Sequence, residues 1–224
     1  MARWRYIFFD VGNTLLFPNR DRIFEPLSPS LRPTLEQWQV VERQTKCQVD
    51  SGTLDGNPDR GFWQSFHGRL LAGRGVQLDE VREQIVRNTR QSANWDQILA
   101  GTREALERIG RQYRLAVISN ADGRIHEVLA RCGIADCFET ITDSGLVGHE
   151  KPHPAVFAAA LESMGATAGE SLYVGDVYSV DYVGATNAGM DAVLMDVSRS
   201  YVGRDLARVE SLTELESWLE RQKG

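Results

Sequence analysis

Short apolar runs recur along the chain, and each of them ends at a polar residue or a glycine. Runs of this length are typical of strands that are buried on both faces of a parallel sheet. The five strands predicted in this way have the sequences YIFFD (6–10), RLAVISN (114–120), CFETITDS (137–144), SLYVGD (171–176) and DAVLMDV (191–197).

Stretches with helical periodicity lie between these runs and after the last of them. The stretch 153–165 has a proline near its start and a glycine at its end, and 211–222 opens with a Ser-x-x-Glu capping box. The predicted helices cover residues 101–112, 122–133, 153–165, 181–190 and 211–222. This alternation predicts an α/β fold, in which a doubly wound, Rossmann-like parallel sheet carries helices on both faces.

Residues 17–96 break the alternation of strands and helices. They contain successive helical stretches with no strand-like run between them, and the interval is too long for one crossover connection. The three stretches cover residues 31–49, 62–75 and 78–88. We therefore predict a helical cap at 17–96, inserted into a Rossmann-like core formed by 1–16 and 97–224.

The cap has two predicted breaks. The sequence FPNRD (17–21) is the predicted hinge, and SGTLDGNPDRG (51–61) is the predicted loop between two helices, because both are rich in turn-forming residues.

Composition excludes some classes of protein. The 224 residues carry a formal net charge of −6, which gives no support for binding to nucleic acid. The odd number and the spacing of the cysteines argue against a disulfide framework and a zinc site, so we expect reduced thiols in a cytoplasmic protein. No apolar leader and no membrane-spanning run is visible, and monomer and homodimer both remain open. The cysteines are Cys47, Cys132 and Cys137.

Four polar clusters fall at or just after the predicted strand ends. Ligands of doubly wound sheets bind beyond the carboxyl ends of the strands. Taken singly, such residues are more often turn formers, helix caps or solvated side chains, but their joint occurrence at one edge of one sheet predicts a shared site. They are Asp10, the pair Ser119 and Asn120, Asp176 with Asp181, and Lys151.

These residue types suit phosphoryl transfer. A carboxylate can attack phosphorus and form an acyl-phosphate, and Mg²⁺, which prefers oxygen ligands, offsets the repulsion between the two anions. Asp10 and Asp176 would supply carboxylates to the metal. Thr14 and Ser119 would donate hydroxyl hydrogen bonds to the phosphate, and Lys151 would supply a positive charge.

The motifs resemble those of the haloacid dehalogenase superfamily, whose members are mostly magnesium-dependent phosphatases with a cap domain. The resemblance covers the core, about two thirds of the chain, in the family's order. It lies in FFDVGNTLL with Asp10, LAVISNADG with Ser119, GHEKPHPAVF with Lys151, and YVGDVYSVD with Asp176 and Asp181. Any one of these motifs is weak, but the four in order are highly specific.

The resemblance implies roles for these positions. Asp10 is the expected nucleophile, with Lys151 beside it, and the substrate is a small phosphorylated metabolite. The expected phosphate-binding residues are Thr14, Ser119, Asn120 and Lys151. The expected Mg²⁺ ligands are Asp10, the backbone carbonyl of Gly12, Asp176 and Asp181.

The first motif departs from the family's pattern. Family phosphatases usually read Asp-x-Asp-Gly-Thr, where the second aspartate is the general acid and base, whereas this chain has Gly12 at that position. Asn13 replaces the usual glycine, and asparagine tolerates a positive φ. We therefore expect the turn to form and acid–base catalysis to be weakened by about 100- to 10,000-fold, chiefly on poor leaving groups.

Three other readings stay open. One is a non-catalytic member that binds a phosphorylated ligand or a partner. Another is a 2-haloacid dehalogenase, although those enzymes are metal-free and lack the Gly-Asp pair that Asp176 retains here. The third is a phosphonate hydrolase with a Schiff-base lysine in the cap. Lys46 is the only lysine of the cap, but it lies in the middle of a predicted helix with no apolar pocket evident.

Histidine is the other residue type that could replace the missing acid. A lone histidine is usually structural or solvent-facing, and the sequence places none of the four near Asp10. They are His67, His126, His149 and His153.

Overall fold

Six parallel strands form the central sheet of the computed structural model, which describes residues 3–52, 58–74 and 79–223. In chain order, the strands of both this sheet and a separate pair, β2 with β3, are β1 (Tyr6–Phe9), β2 (Leu16–Phe17), β3 (Gln97–Ile98), β4 (Arg114–Ser119), β5 (Thr140–Asp143), β6 (Ser171–Gly175), β7 (Asp191–Met195) and β8 (Arg208–Val209). The sheet order is β5-β4-β1-β6-β7-β8, with every pair parallel. The predicted α/β fold and its five strands are confirmed, whereas β8 is too short to have been visible as an apolar run.

Helices cover both faces of this sheet. They are α1 (Arg20–Ile23), α2 (Leu35–Asp50), α3 (Pro58–Leu70), α4 (Asp79–Arg90), α5 (Thr102–Gly110), α6 (Ile125–Arg131), α7 (Ser144–Val147), α8 (Pro154–Met164), α9 (Val183–Asn187) and α10 (Leu212–Arg221). A π-helical turn at Tyr178–Tyr182 precedes α9. Among the described residues, no helix combines the length and apolar character that a membrane span needs.

Alternate residues of each strand pack against opposite helix layers, because side chains of a strand alternate between the two faces. In β1, Ile7 and Phe9 lie in the core beneath α5, α6 and α10, whereas Phe8 lies in the core beneath α8 and α9. Burial on both faces explains why these strands appear in the sequence as continuous apolar runs.

Helices α1–α4 enclose an apolar core of their own, which includes Phe24, Trp38, Phe66 and Ile85. All four lie in the interval for which the sequence predicts the cap. The chain enters this interval at β2 and leaves it at β3, and these two strands pair with each other in antiparallel orientation. This pairing brings residues 17 and 97 side by side, although the exact division into core and cap stays a prediction.

The two predicted breaks of this interval contain or border helices. Within FPNRD, Asn19 caps the short helix α1 by accepting a hydrogen bond from the backbone N–H of Arg22. Of the loop predicted at 51–61, residues 53–57 lie outside the described part of the chain, and Pro58 already begins α3.

Candidate active site

The loop after β1 places Asp10 at the centre of the sheet edge. Asp10 follows β1 directly, and its backbone N–H donates to the carbonyl of Val174 on the neighbouring strand β6 at 2.8 Å. Asn13 has a φ of 53°, so it adopts the left-handed conformation that the sequence predicts. The tight turn leaves the Asp10 side chain buried but at the floor of a cleft.

Lys151 joins the ends of strands β1 and β6. Its Nζ donates to Asp10 Oδ1, to Asp181 Oδ1 and to the hydroxyl of Tyr173, each at 2.7 Å. Burial alone would lower the pKa of Lys151, but the charges of Asp10 and Asp181 outweigh it and raise that pKa well above its usual value. Lys151 is therefore a protonated, fixed positive charge beside the candidate nucleophile.

The Asp181 carboxylate shapes the loop that carries Asp176. Its Oδ2 accepts the backbone N–H groups of Asp176 at 3.0 Å and Val177 at 2.9 Å. A Cβ atom at Gly175 would lie only 2.5 Å from Asp181 Cγ, so this packing requires glycine. The Gly-Asp-x4-Asp pattern thus has a steric cause as well as a chemical one.

Three carboxylates meet at this edge of the sheet. Oxygen atoms of Asp10, Asp176 and Asp181 lie within 4.8 Å of one another. Burial raises the pKa of Asp10 to about 7, against the opposing charge of Lys151, and burial likewise raises the pKa of Asp176 to about 6, against Lys46. Crowded, buried carboxylates of this kind are the oxygen donors that a hard divalent cation prefers.

Lys46 reaches this cluster from the middle of α2. It is 1% exposed, and its Nζ lies 2.8 Å from both Asp176 Oδ2 and Glu42 Oε1. Burial alone would lower the pKa of Lys46, but Asp176 and Glu42 raise it well above its usual value. The sequence shows no pocket for this lysine because the pocket belongs to the core, more than a hundred residues away along the chain.

The two sets of ion pairs at this site, one around Lys46 and one around Lys151, together carry an excess of negative charge. Four carboxylates and two ammonium groups leave two negative charges, four minus two, when all are ionised. A single divalent cation would neutralise this excess. The charged groups are Asp10, Glu42, Asp176, Asp181, Lys46 and Lys151.

The candidate phosphate-binding residues take three different positions. Ser119, at the end of β4, is buried and lines the cleft beside Asp10. The hydroxyl of Thr14 is buried without a hydrogen-bond partner, but Thr14 is not among the residues that line the cleft. The Asn120 amide instead bonds the backbone of Lys151, accepting its N–H at 2.7 Å and donating to its carbonyl at 3.1 Å. Asn120 also lines the cleft, but this pair of bonds makes it a brace for Lys151.

Aromatic side chains form part of the wall of the cleft that the carboxylates line. Phe62, Trp63 and Trp95 line it together with Arg90, the last residue of α4. Trp95 is fixed by a 2.7 Å hydrogen bond from its Nε1 to the carbonyl of Thr89. Its ring lies beside Gly12, where an added Cβ would be 3.4 Å from Trp95 Cζ3.

Sequence reasoning missed Tyr173, Trp95 and the role of Lys46. A tyrosine within a fully buried strand is a usable signal, because a buried hydroxyl needs a partner, and Tyr173 finds Lys151 and the carbonyl of Ile118. The signal for Lys46 is its rarity, since only three of the 25 basic residues are lysines. Nothing in the sequence near Trp95 indicates that it covers Gly12.

None of the histidines stands out as a replacement acid. His67 is fully buried among aromatic rings, where its Nε2 lies 2.8 Å from the Thr89 hydroxyl and burial lowers its pKa to about 3. His149 and His153 stack on each other at an exposed site, and His153 caps α8. His126 is exposed on α6.

Comparison with known proteins gives a consistent family. The sequence model described as haloacid dehalogenase-like hydrolase matches residues 69–195. The human haloacid dehalogenase-like hydrolase domain-containing protein 3 is 30% identical over 213 residues, which cover 85% of this chain and 81% of that protein. The pyrimidine 5′-nucleotidase YjjG of Escherichia coli is 26% identical over 228 residues, covering 97% and 98%.

A glyceraldehyde 3-phosphate phosphatase of Methanothermobacter thermautotrophicus is 37% identical over 116 residues, which cover 48% of this chain and only about half, 51%, of that protein. Solved structures share the fold. The putative hydrolase YfnB of Bacillus subtilis, bound to magnesium, superposes with a TM-score of 0.72 at 20% identity, covering 97% of this chain and 99% of that one. The L-2-haloacid dehalogenase of Xanthobacter autotrophicus gives 0.63 at 17% identity, covering 97% and 98%.

Proposed function

Because the chain belongs to the haloacid dehalogenase-like hydrolase family, we propose that it is a magnesium-dependent phosphatase of small phosphorylated metabolites. The observation that carries this proposal is the buried cluster of Asp10, Asp176 and Asp181 with Lys151 bonded to Asp10. The family relatives that are named as a phosphatase and a nucleotidase support the same reaction class.

In the proposed reaction, a carboxylate oxygen of Asp10 attacks phosphorus while the bond to the leaving oxygen breaks. Lys151 holds the Asp10 carboxylate in place and balances charge on the transferred phosphoryl group. Ser119 and Thr14 donate hydrogen bonds to its oxygens. Water then cleaves the aspartyl-phosphate, which releases inorganic phosphate and restores the carboxylate.

The donor set of the site fits Mg²⁺. Asp10 and Asp176, with the carbonyl of Gly12 and with Asp181 nearby, would hold the ion, and the two excess negative charges of the network match its charge. Bound there, Mg²⁺ offsets the repulsion between the carboxylate and the phosphate dianion.

The ion pairs of Lys46 and Lys151 also argue against a dehalogenase and against a phosphonate hydrolase. A metal-free dehalogenase would leave two buried negative charges without a counter-ion, which is costly. A Schiff-base mechanism needs a neutral lysine, whereas Lys46 is held protonated between Glu42 and Asp176.

Acetyl phosphate tests the proposal, because its acetate leaving group needs no proton and the first step therefore does not depend on an acid at Gly12. We expect Mg²⁺-dependent release of phosphate that stops when the metal is chelated, and a phosphorylated Asp10 in peptides from a rapidly quenched reaction. A folded protein that binds Mg²⁺ but neither releases phosphate nor carries the modification would instead be a non-catalytic member of the family.

The charge balance leads to a prediction about Lys46. The substitution Lys46→Met raises the excess from two to three negative charges, so Mg²⁺ should bind at least about tenfold more tightly. Isothermal titration calorimetry measures this change without reference to turnover.

The matched control is the double variant Glu42→Gln with Lys46→Met, which removes one charge of each sign. It keeps the excess at two, and its Mg²⁺ affinity should stay within about threefold of the wild-type value. Equal Mg²⁺ affinities of the wild type and the folded single variant would show that the charge of Lys46 does not act on the metal site.

A further inference from the structure

The position of the missing acid borders the ring of Trp95. A Cβ atom at Gly12 would lie 3.4 Å from Cζ3 and 3.7 Å from Cε3 of Trp95, in ordinary van der Waals contact with the ring. Trp95 is 8% exposed, is tied to the carbonyl of Thr89 and packs against Trp63 with ring centroids 5.6 Å apart. The wall of the cleft therefore has an indole beside Gly12, where the family's pattern has a carboxylate.

The described groups nearest to the reaction do not replace this acid. Lys151 and Lys46 each lie 2.7–2.8 Å from two buried carboxylates, so their N–H groups are already engaged. His67 is buried in the aromatic cluster with its pKa lowered to about 3, so it is neutral near pH 7. The one further carboxylate among the described lining residues is Glu150, on the loop before Lys151.

The same wall favours a planar group. Phe62, Trp63 and Trp95 line the same cleft as Asp10, and aromatic rings stack on one another in offset or edge-to-face arrangements. Arg90 ends α4 at this cleft with an exposed side chain, which offers a charge to an anionic substituent.

The absence of an acid at Gly12 and the aromatic wall of the cleft favour the same class of substrate. An aryl oxide is a good leaving group that departs without a proton, and its ring matches the aromatic wall. We propose that this protein is an aryl phosphatase, whose substrates are phosphate monoesters of phenols with an anionic substituent directed toward Arg90. This inference rests on the proposed phosphatase function and names its substrate class.

The proposed step balances without an acid. The bond between Asp10 and phosphorus forms, the bond between phosphorus and the aryl oxygen breaks, and the phenolate leaves with the electron pair. It takes its proton from water outside the cleft. An alkoxide from an alkyl phosphate could not leave in this way, because it is far more basic.

Phenyl phosphate and benzyl phosphate separate leaving-group basicity from ring recognition, since both carry a benzene ring but benzyl phosphate releases an alkoxide. We expect kcat/KM for phenyl phosphate to exceed that for benzyl phosphate by at least about 100-fold. A series of ring-substituted phenyl phosphates should show kcat/KM rising steeply as the phenol becomes more acidic, because kcat/KM reports the step in which the phenolate leaves.

Two variants test the recognition of the ring and of the anion. Trp63→Leu should raise KM for phenyl phosphate about tenfold more than KM for acetyl phosphate, which has no ring. Arg90→Gln should lower the preference for para-carboxyphenyl phosphate over phenyl phosphate about tenfold.

Comparable kcat/KM for benzyl and phenyl phosphate would overturn the inference and indicate an acid in the cleft, for which Glu150→Gln is the diagnostic variant. Acetyl phosphate distinguishes this outcome from failure of the proposed function. Turnover of acetyl phosphate with no preference for aryl esters overturns only the substrate class, whereas no turnover of any of these compounds overturns the phosphatase proposal itself.

Discussion

Asp10→Asn lowers the Mg²⁺-dependent hydrolysis of acetyl phosphate by at least about 1,000-fold, because the amide cannot form the acyl-phosphate bond. The variant stays folded. Asparagine has the shape of a protonated aspartate, and Lys151 keeps its contacts with Asp181 and Tyr173. The measurement is phosphate release at saturating Mg²⁺, together with the thermal unfolding midpoint of both proteins.

Asp205→Asn is the matched control, since Asp205 is an exposed aspartate of the loop between β7 and β8. It should leave the rate of acetyl phosphate hydrolysis unchanged. If Asp10→Asn keeps more than about a tenth of the wild-type rate, the hydrolysis does not pass through an aspartyl-phosphate at this residue.

The edge of the sheet that carries the site could be predicted because it depends on local patterns. Each strand is buried on both faces and so appears as an apolar run, and the residue that follows marks the sheet edge. Asp10, Ser119 and Asp176 all lie where these patterns place them, at the ends of β1, β4 and β6. Parallel pairing of neighbouring strands then brings them together.

The contacts between the cap helices and this edge could not be predicted in the same way. Lys46 and Trp95 reach the site because whole elements pack together. The sequence of a helix shows which of its faces is apolar, but it does not show which residue of another element a polar side chain contacts. The sequence of α2 gives Lys46 a partner at Glu42 but carries no sign of Asp176. Gly12 and Trp95 likewise lie 83 positions apart and touch only in the folded protein.

The contact between Gly12 and Trp95 affects the outcome of placing an aspartate at position 12, as in the family's pattern. On sequence grounds, Gly12→Asp should raise activity on alkyl phosphates relative to aryl phosphates. Gly12 is not among the residues with a positive φ, so its backbone accepts an aspartate. However, the new side chain would meet the ring of Trp95, which is held by Thr89. We therefore expect the single variant to change the ratio of kcat/KM for benzyl and phenyl phosphate by less than about threefold.

Replacing the Trp95 ring by a smaller side chain should allow an aspartate at position 12 to act as an acid. In the double variant Gly12→Asp with Trp95→Leu, the carboxylate has room beside the leaving oxygen, and the nearby charge of Asp10 raises its pKa, as an acid requires. The benzyl-to-phenyl ratio should rise by about 100-fold, the lower end of ordinary acid catalysis, because the new group lacks neighbours that orient it.

Trp95→Leu alone is the control, and it should leave the benzyl-to-phenyl ratio near the wild-type value because it supplies no proton donor. The effect of the double variant must then exceed the product of the two single effects, which is the signature of direct coupling between neighbouring residues. If the ratio stays unchanged in a folded double variant that still binds Mg²⁺, protonation of the leaving group does not limit this chain. The contact between Gly12 and Trp95 would then have no catalytic consequence.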